Sequence, residues 1–323
     1  MQITQPFANR SRALQFALAF ALAAVVPQAS AQSKAMSAPI AAMQPASTGT
    51  LDRVRAQSKL VLGYYSDAQP MSYRDPSGNP AGYAVMLCQQ VVDEVKAELG
   101  VPQLTVEWVA LTRATGMQTV QQGKVDLLCG ADAASLTNRA SVSFSLPIFP
   151  GGISALVRSD ASKALQNALE QRPLPYKPIW RAAPFSPIQH RTLSVVAGTA
   201  AVDWAKERAS KLKLIAKLDT VESYDAGVTK VASKDSDVLF GDRAVLLGLA
   251  KSSPNARKLR VLTRHYTYEP LALTVARNND DLRLVIDRAL LKFYASPKFG
   301  DAYTAVFGQP DTDTIEYFRG LPR

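Results

Sequence analysis

Short apolar runs alternate with stretches of helical spacing along most of the chain. Lys59 to Tyr64 is apolar and bounded by polar residues, which predicts a strand. Cys88, Val91, Val92, Val95 and Leu99 recur at helical spacing, and Gly100 follows as a stop. Leu104, Val106 and Trp108 alternate with polar neighbours, as a strand does. A polar helix from about Thr112 to Gln122 is closed by Gly123. Val125 to Cys129 is the next strand, opening into a loop at Gly130-Ala131-Asp132.

Past Pro187 the alternation resumes. Thr192 to Ala197 reads as a strand, and Gly198-Thr199-Ala200 opens a helix through Leu212. Leu214 to Leu218 is a short strand and Tyr224 to Ser233 a helix. Asp237 to Phe240 is a strand running into Gly241-Asp242-Arg243, followed by a helix to Lys251. Leu271 to Ala276 is a strand, and Leu282 to Tyr294 an amphipathic helix. This alternation predicts an α/β protein of two lobes, each a mostly parallel sheet flanked by helices. Ligands of such sheets bind beyond the C-terminal strand ends, which selects the loops Gly130 to Ala133, Gly198 to Ala200, and Gly241 to Arg243. Helix N-termini in the first two suit a carboxylate. Tight strand-to-helix turns would account for the same glycines.

The first residues change where this fold is expected to reside. Arg10 and Arg12 precede the apolar run Ala13 to Val26, and Ala29-Ser30-Ala31 follows Pro27. That is the pattern of a secretory signal peptide, residues 1–31, cleaved after Ala31. The run is short for a membrane span of about 20 residues, the other reading of it. Residues 32–49 read as a flexible leader rich in Ala, Ser, Pro and Met. About 270 residues remain, enough for two cores. A periplasmic location is expected.

Composition narrows the chemistry. The net charge of +10 falls to about +8 without Arg10 and Arg12. The cations are scattered among acids, with no tract of five like charges, so generic surface charge is favoured over a nucleic-acid partner. Cys88 and Cys129 are the only cysteines and His190 and His265 the only histidines. Two cysteines in an exported chain favour a disulfide over a metal pair, and a zinc site would lack ligands. Neither metal nor cofactor is expected.

Several segments occur in the order of one known family. They are Pro70-Met71-Ser72-Tyr73, Gly82 to Leu87, Gln121 to Asp126, Phe144 to Phe149, Ala197 to Lys206, and Asp237 to Leu246. As an ordered set they resemble the family 3 solute-binding proteins of amino acid ABC importers. The resemblance spans nearly all of Leu51 to Gly308. It implies the periplasmic binding protein fold: lobe 1 from residues 50–152 and 270–323, lobe 2 from 153–269, and a two-strand hinge. It implies capture of an amino acid-like zwitterion by a monomer, for delivery to an inner-membrane ABC permease. Cys88 and Cys129 match paired positions of glutamate/aspartate-type members.

The same resemblance implies site residues. An Arg after the first-lobe loop takes the ligand carboxylate; Arg139 is the candidate, with Asn138 and Thr137 as alternatives in that alignment. Thr199, with the N–H groups of Thr199 and Ala200, completes the carboxylate site. Asp242 is the candidate for the ammonium, and a helix-capping role is compatible with it. Asp132 stands beside Gly130 and Ala131 where the family carries Ser or Thr, so Asp132 and Asp242 together would make the cleft acidic. Tyr64, Tyr65 and Tyr83 are expected as an aromatic lid. Glutamate/aspartate-type members carry Arg at the position of Tyr65 and near Gly116; neither is found here, which disfavours acidic side chains. The alternative on this fold is a periplasmic enzyme such as a cyclohexadienyl dehydratase, for which no distinctive acid–base pair is visible. The Pro-rich stretch 171–191 has no assigned role.

Overall fold

A computed structural model describes residues 49–171 and 186–322. The expected signal peptide, nearly all of the leader and most of the Pro-rich stretch lie outside the described residues. The chain starts with helix α1 (Thr50–Gln57) and strand β1 (Lys59–Tyr65). Strands β2 (Asp67–Ala68), β3 (Ser72–Arg74) and β4 (Pro80–Ala81) form a small antiparallel flap. Helix α2 (Tyr83–Leu99) ends where Gly100 enters the left-handed region at φ 66°, its N–H returning to the carbonyls of Lys96 and Ala97. Next come β5 (Thr105–Leu111), α3 (Gly116–Gln121), β6 (Leu127–Ala133), α4 (Leu136–Arg139) and β7 (Ser143–Gly151).

A second series follows: β8 (Ile153–Arg158), α5 (Lys163–Glu170), β9 (Thr192–Val196), α6 (Ala200–Lys211), β10 (Lys217–Val221), α7 (Tyr224–Ser233), β11 (Val238–Asp242), α8 (Arg243–Ser252) and β12 (Leu259–Val261). The chain then returns through β13 (Glu269–Val275) to α9 (Asp280–Tyr294), α10 (Lys298–Phe307) and α11 (Thr312–Arg319). Among the described residues no helix is long and apolar enough to cross a membrane.

Two five-stranded sheets result, ordered β5-β1-β6-β13-β7 and β10-β9-β11-β8-β12. Each has a core of three parallel strands, extended on one side by two further strands joined through antiparallel pairing. This is the two-lobed α/β fold that the alternation predicts. Leu60, Leu62, Leu87 and Leu127 are fully buried in the first core, each stabilising the fold by about 1.5–3 kcal/mol. The disulfide Cys88–Cys129 fastens α2 to β6, with the Cα atoms 6.2 Å apart.

One expected loop is a strand. β6 does not end at Cys129 but runs to Ala133, because β13 pairs with it antiparallel, Asp132 opposite Ala272 and Ala133 opposite Leu271. The register shifts between Ala272 and Thr274, and Ala131 takes φ 57° at this irregularity. Helix α3 is shorter than its polar pattern predicts, because Thr112 to Thr115 form a turn in which Thr115 and Gly116 donate to the carbonyl of Thr112.

The chain passes between the sheets at Gly152 and again before β13. Gly152 has φ 121°, and a Cβ there would collide with the carbonyl of Thr267. Only glycine lets the two crossings lie this close. The N–H of Ile153 donates to Thr267 Oγ1 at 2.9 Å, and Glu269 pairs with Gly151. A third link is α8. Its Ala244 packs into the first core, and the buried Arg243 pairs with Asp311 at 2.9 Å while donating to the carbonyl of Leu262 at 2.6 Å.

Candidate ligand-binding site

Between the sheets lies a cleft of about 850 Å³. The strand-end rule accounts for its second-lobe wall. β9 ends at Val196, and Gly198 reverses the chain at φ 72° into α6. Thr199 is more occupied than the sequence implies: its N–H and its hydroxyl both donate to the carbonyl of Val196, at 3.3 and 2.7 Å. The first N–H groups of α6, those of Ala200 and Ala201, have no intrahelical partner, and both residues line the cleft. Asp242 ends β11 on the same wall. Its Oδ1 accepts the N–H groups of Ala244 and Val245 at 3.0 and 3.1 Å, capping α8. Its own N–H donates to the Tyr224 hydroxyl at 3.0 Å. Burial pushes the Asp242 carboxyl above the ordinary aspartate value; the two cap bonds and Arg113 oppose the shift, and Glu269 adds to it.

The first-lobe wall departs from expectation. Ala131 lines the cleft, but Asp132 turns into the protein. Its two oxygens accept the hydroxyls of Tyr65 and Thr274, at 2.7 and 2.8 Å. Burial raises its carboxyl too, against those hydrogen bonds and the Arg113 charge. Tyr65 is 1% exposed and so cannot be a lid; burial first, then Asp132, raises its hydroxyl well above the usual tyrosine range. Gly130 lies against that ring, where a Cβ would collide. Tyr64 is buried with its ring edge-on to Trp108 at 6.1 Å, and Tyr83 is buried among Tyr303 and Phe307. The proposed aromatic lid is therefore corrected: all three tyrosines are core residues.

Asn138 and Arg139 are not part of the cleft lining. Asn138 donates from its side chain to the carbonyl of Ala133 at 2.9 Å, which ties α4 to the end of β6. Arg139 bonds the carbonyl of Ala134 at 3.1 Å and lies over the Phe144 ring at 5.4 Å. The guanidinium in the cleft is that of Arg113, from the turn between β5 and α3, 5.6 Å over the Tyr65 ring. Tyr224, Tyr268 and Glu269 also line the cleft and were not singled out in the sequence. The helix-opening position of Tyr224 after β10 was the available signal. Glu269 had none, since it starts a strand at the hinge.

An anion-attracting helix end and a guanidinium thus share one cavity with the half-buried Asp242. Such a cavity can hold a small dipolar molecule by its two charged ends. The model of the bacterial extracellular solute-binding proteins, family 3, matches residues 60–309. The chain belongs to that family. The L-glutamate/L-aspartate-binding protein of Pseudomonas aeruginosa is 25% identical over 276 residues, 85% of this chain and 84% of its own length. A polar amino acid ABC uptake transporter substrate binding protein from Streptococcus thermophilus shares the fold at a TM-score of 0.64 and 17% identity, covering 83% of this chain and 94% of its own. An ancestral cyclohexadienyl dehydratase shares it at a TM-score of 0.55 and 23% identity, covering 80% and 96%. Binding proteins and an enzyme are built on this fold, so the fold alone does not assign the chemistry.

Proposed function

We propose that the protein captures an amino acid-like zwitterion in the periplasm and delivers it to an ABC permease, acting as a monomer after removal of residues 1–31. The observation that carries the reading is the opposition of charges in the cleft. Asp242 has a hydrogen bond only to Oδ1 among the described residues, and it lines the same cleft as the start of α6, whose first N–H groups have no intrahelical partner. The family relationship and the amino acids in the names of its relatives support the same reading. Binding of one ligand by both walls would favour the closed arrangement of the lobes. Lobe 1 would comprise residues 50–152 and 270–323, and lobe 2 residues 153–269.

Calorimetric titration of the exported protein, stripped of bound solute by unfolding and refolding, tests this against the proteinogenic amino acids. One tight, stoichiometric ligand recovered chemically unchanged is the expected result. Consumption of a cyclohexadienyl acid with no stable amino acid complex would overturn the binding reading and identify an enzyme.

A further inference from the structure

We infer that Arg113 takes the ligand's carboxylate and that Glu269 sets the accepted charge, so that the cleft selects a monocarboxylic amino acid of neutral or cationic side chain and rejects glutamate and aspartate. This deepens the reading above and rests on it. Arg139 is not among the residues that line the cleft; its Nε donates to the carbonyl of Ala134 and its Cζ lies 5.4 Å from the Phe144 ring centroid. Arg113 is exposed, lines the cleft, and makes no ion pair or hydrogen bond with any described residue. Its Cζ lies 5.6 Å over the Tyr65 ring, and the Tyr65 hydroxyl donates to Asp132, which Thr274 holds through its other oxygen. The guanidinium therefore rests on a rigid buried platform with its donors unused, the state suited to a bidentate carboxylate contact. Its charge also reaches Asp242 and Tyr224 of the opposite wall.

The charge count of the cleft decides the rest. Arg113 is the only lysine or arginine among the described lining residues, against the carboxylates of Asp242 and Glu269. Glu269 is exposed, has no cationic partner among the described residues, and its charge is felt by Asp242. One ligand carboxylate uses Arg113 and one ammonium uses Asp242. A second ligand carboxylate would then face Glu269 uncompensated, whereas a second cation would pair with it.

The experiment is titration of wild type, Arg113→Met, Arg139→Met and Glu269→Gln with the twenty proteinogenic amino acids and L-ornithine, alongside the melting temperature of each unliganded protein. Arg113 and Glu269 are exposed, so unchanged melting is expected for both variants. The proposal expects wild type to prefer a neutral or cationic amino acid and Arg113→Met to weaken it about 10- to 100-fold. Arg139→Met should leave affinity within about twofold. The primary amide of the best ligand, which lacks the carboxylate, should bind wild type and Arg113→Met equally. Glu269→Gln should weaken a cationic ligand several-fold and spare a neutral one. Preference for glutamate or aspartate, or loss of binding with Arg139→Met but not Arg113→Met, would overturn the inference and leave amino acid capture standing. A wild type that binds no member of the panel would overturn both.

Discussion

Two strands reach the cleft with an aspartate near their ends, and the two carboxylates meet opposite fates. Asp132 of β6 is sealed by hydroxyls from Tyr65 and Thr274, so both its oxygens are satisfied inside the protein. Asp242 of β11 is held through Oδ1 by the backbone of its own helix, and the residue lines the cleft. The difference arises from the path of the chain beyond each aspartate. After Asp242 the chain turns at once into α8, and a carboxylate at that corner must face either the helix end or the cavity. After Asp132 the strand continues to Ala133 paired beside β13, and the side chain is held between Tyr65 of β1 and Thr274 of β13, the strands on either side of β6. Residue type and a preceding glycine do not distinguish a scaffold aspartate from a ligand-facing one; the partners of its second oxygen do.

The first-lobe wall should therefore respond to damage as structure does. The largest effect is expected from Cys88→Ser with Cys129→Ser, since the bridge joins α2 to β6 across a separation of 41 residues. Loss of the bridge should cost about 2–5 kcal/mol of stability in denaturant titration. Affinity of the fraction that remains folded should be preserved. A stability loss below about 1 kcal/mol would mean that packing alone holds β6. Comparable in size is Asp132→Ala, which strands two buried hydroxyls at roughly 1–3 kcal/mol each. Melting should fall while ligand affinity, measured well below the transition, changes no more than a few-fold. An affinity loss exceeding the stability loss would show that Asp132 reaches the ligand and would erase the contrast.

Asp242→Asn probes the other wall. Asparagine caps helices as well as aspartate does, so melting should move little. Affinity for an ammonium-bearing ligand should fall about 10- to 100-fold by calorimetry, the size of a lost charge-assisted hydrogen bond. Equal affinity in the variant would make Asp242 a cap and nothing more.

The second-lobe wall was the legible one. Gly198-Thr199-Ala200 and Gly241-Asp242-Arg243 each sit where an apolar run ends and a helical period begins, and both loops follow parallel strands of a local series. The helix Tyr224–Ser233 was likewise set by short-range spacing. The first wall depends on contacts that sequence spacing does not carry. β6 extends through Gly130-Ala131-Asp132 only because β13 pairs beside it, and those three residue types alone describe a turn as well. Tyr65 and Asp132 meet across 67 residues, which converted an expected lid and an expected ligand contact into one buried pair. Arg113 was hidden in what reads as a polar helix face. It became visible only when the helix began at Gly116 and left a turn before it.

The smallest effect separates the two aspartates by the sign of their pH dependence. Burial raises both carboxyls above the ordinary value of about 3.9. The folded protein therefore binds these protons more tightly than the unfolded chain does. The stability this adds is fully present below about pH 3.9 and is lost as pH rises through the folded values. For each position the stability difference between wild type and its Asn variant should move in wild type's disfavour over that window, by about 1.4 kcal/mol per unit of raised pKa. Ligand binding reverses the sign at Asp242 alone. An ammonium requires the ionised form, so wild-type affinity should rise as pH rises through the same window, and Asp242→Asn should flatten that rise. Asp132→Asn should flatten the stability profile and leave the affinity profile sloping as in wild type. If Asp132→Asn also flattened the affinity profile, the two aspartates would be coupled across the cleft, with Arg113, whose charge reaches both, as the group between them.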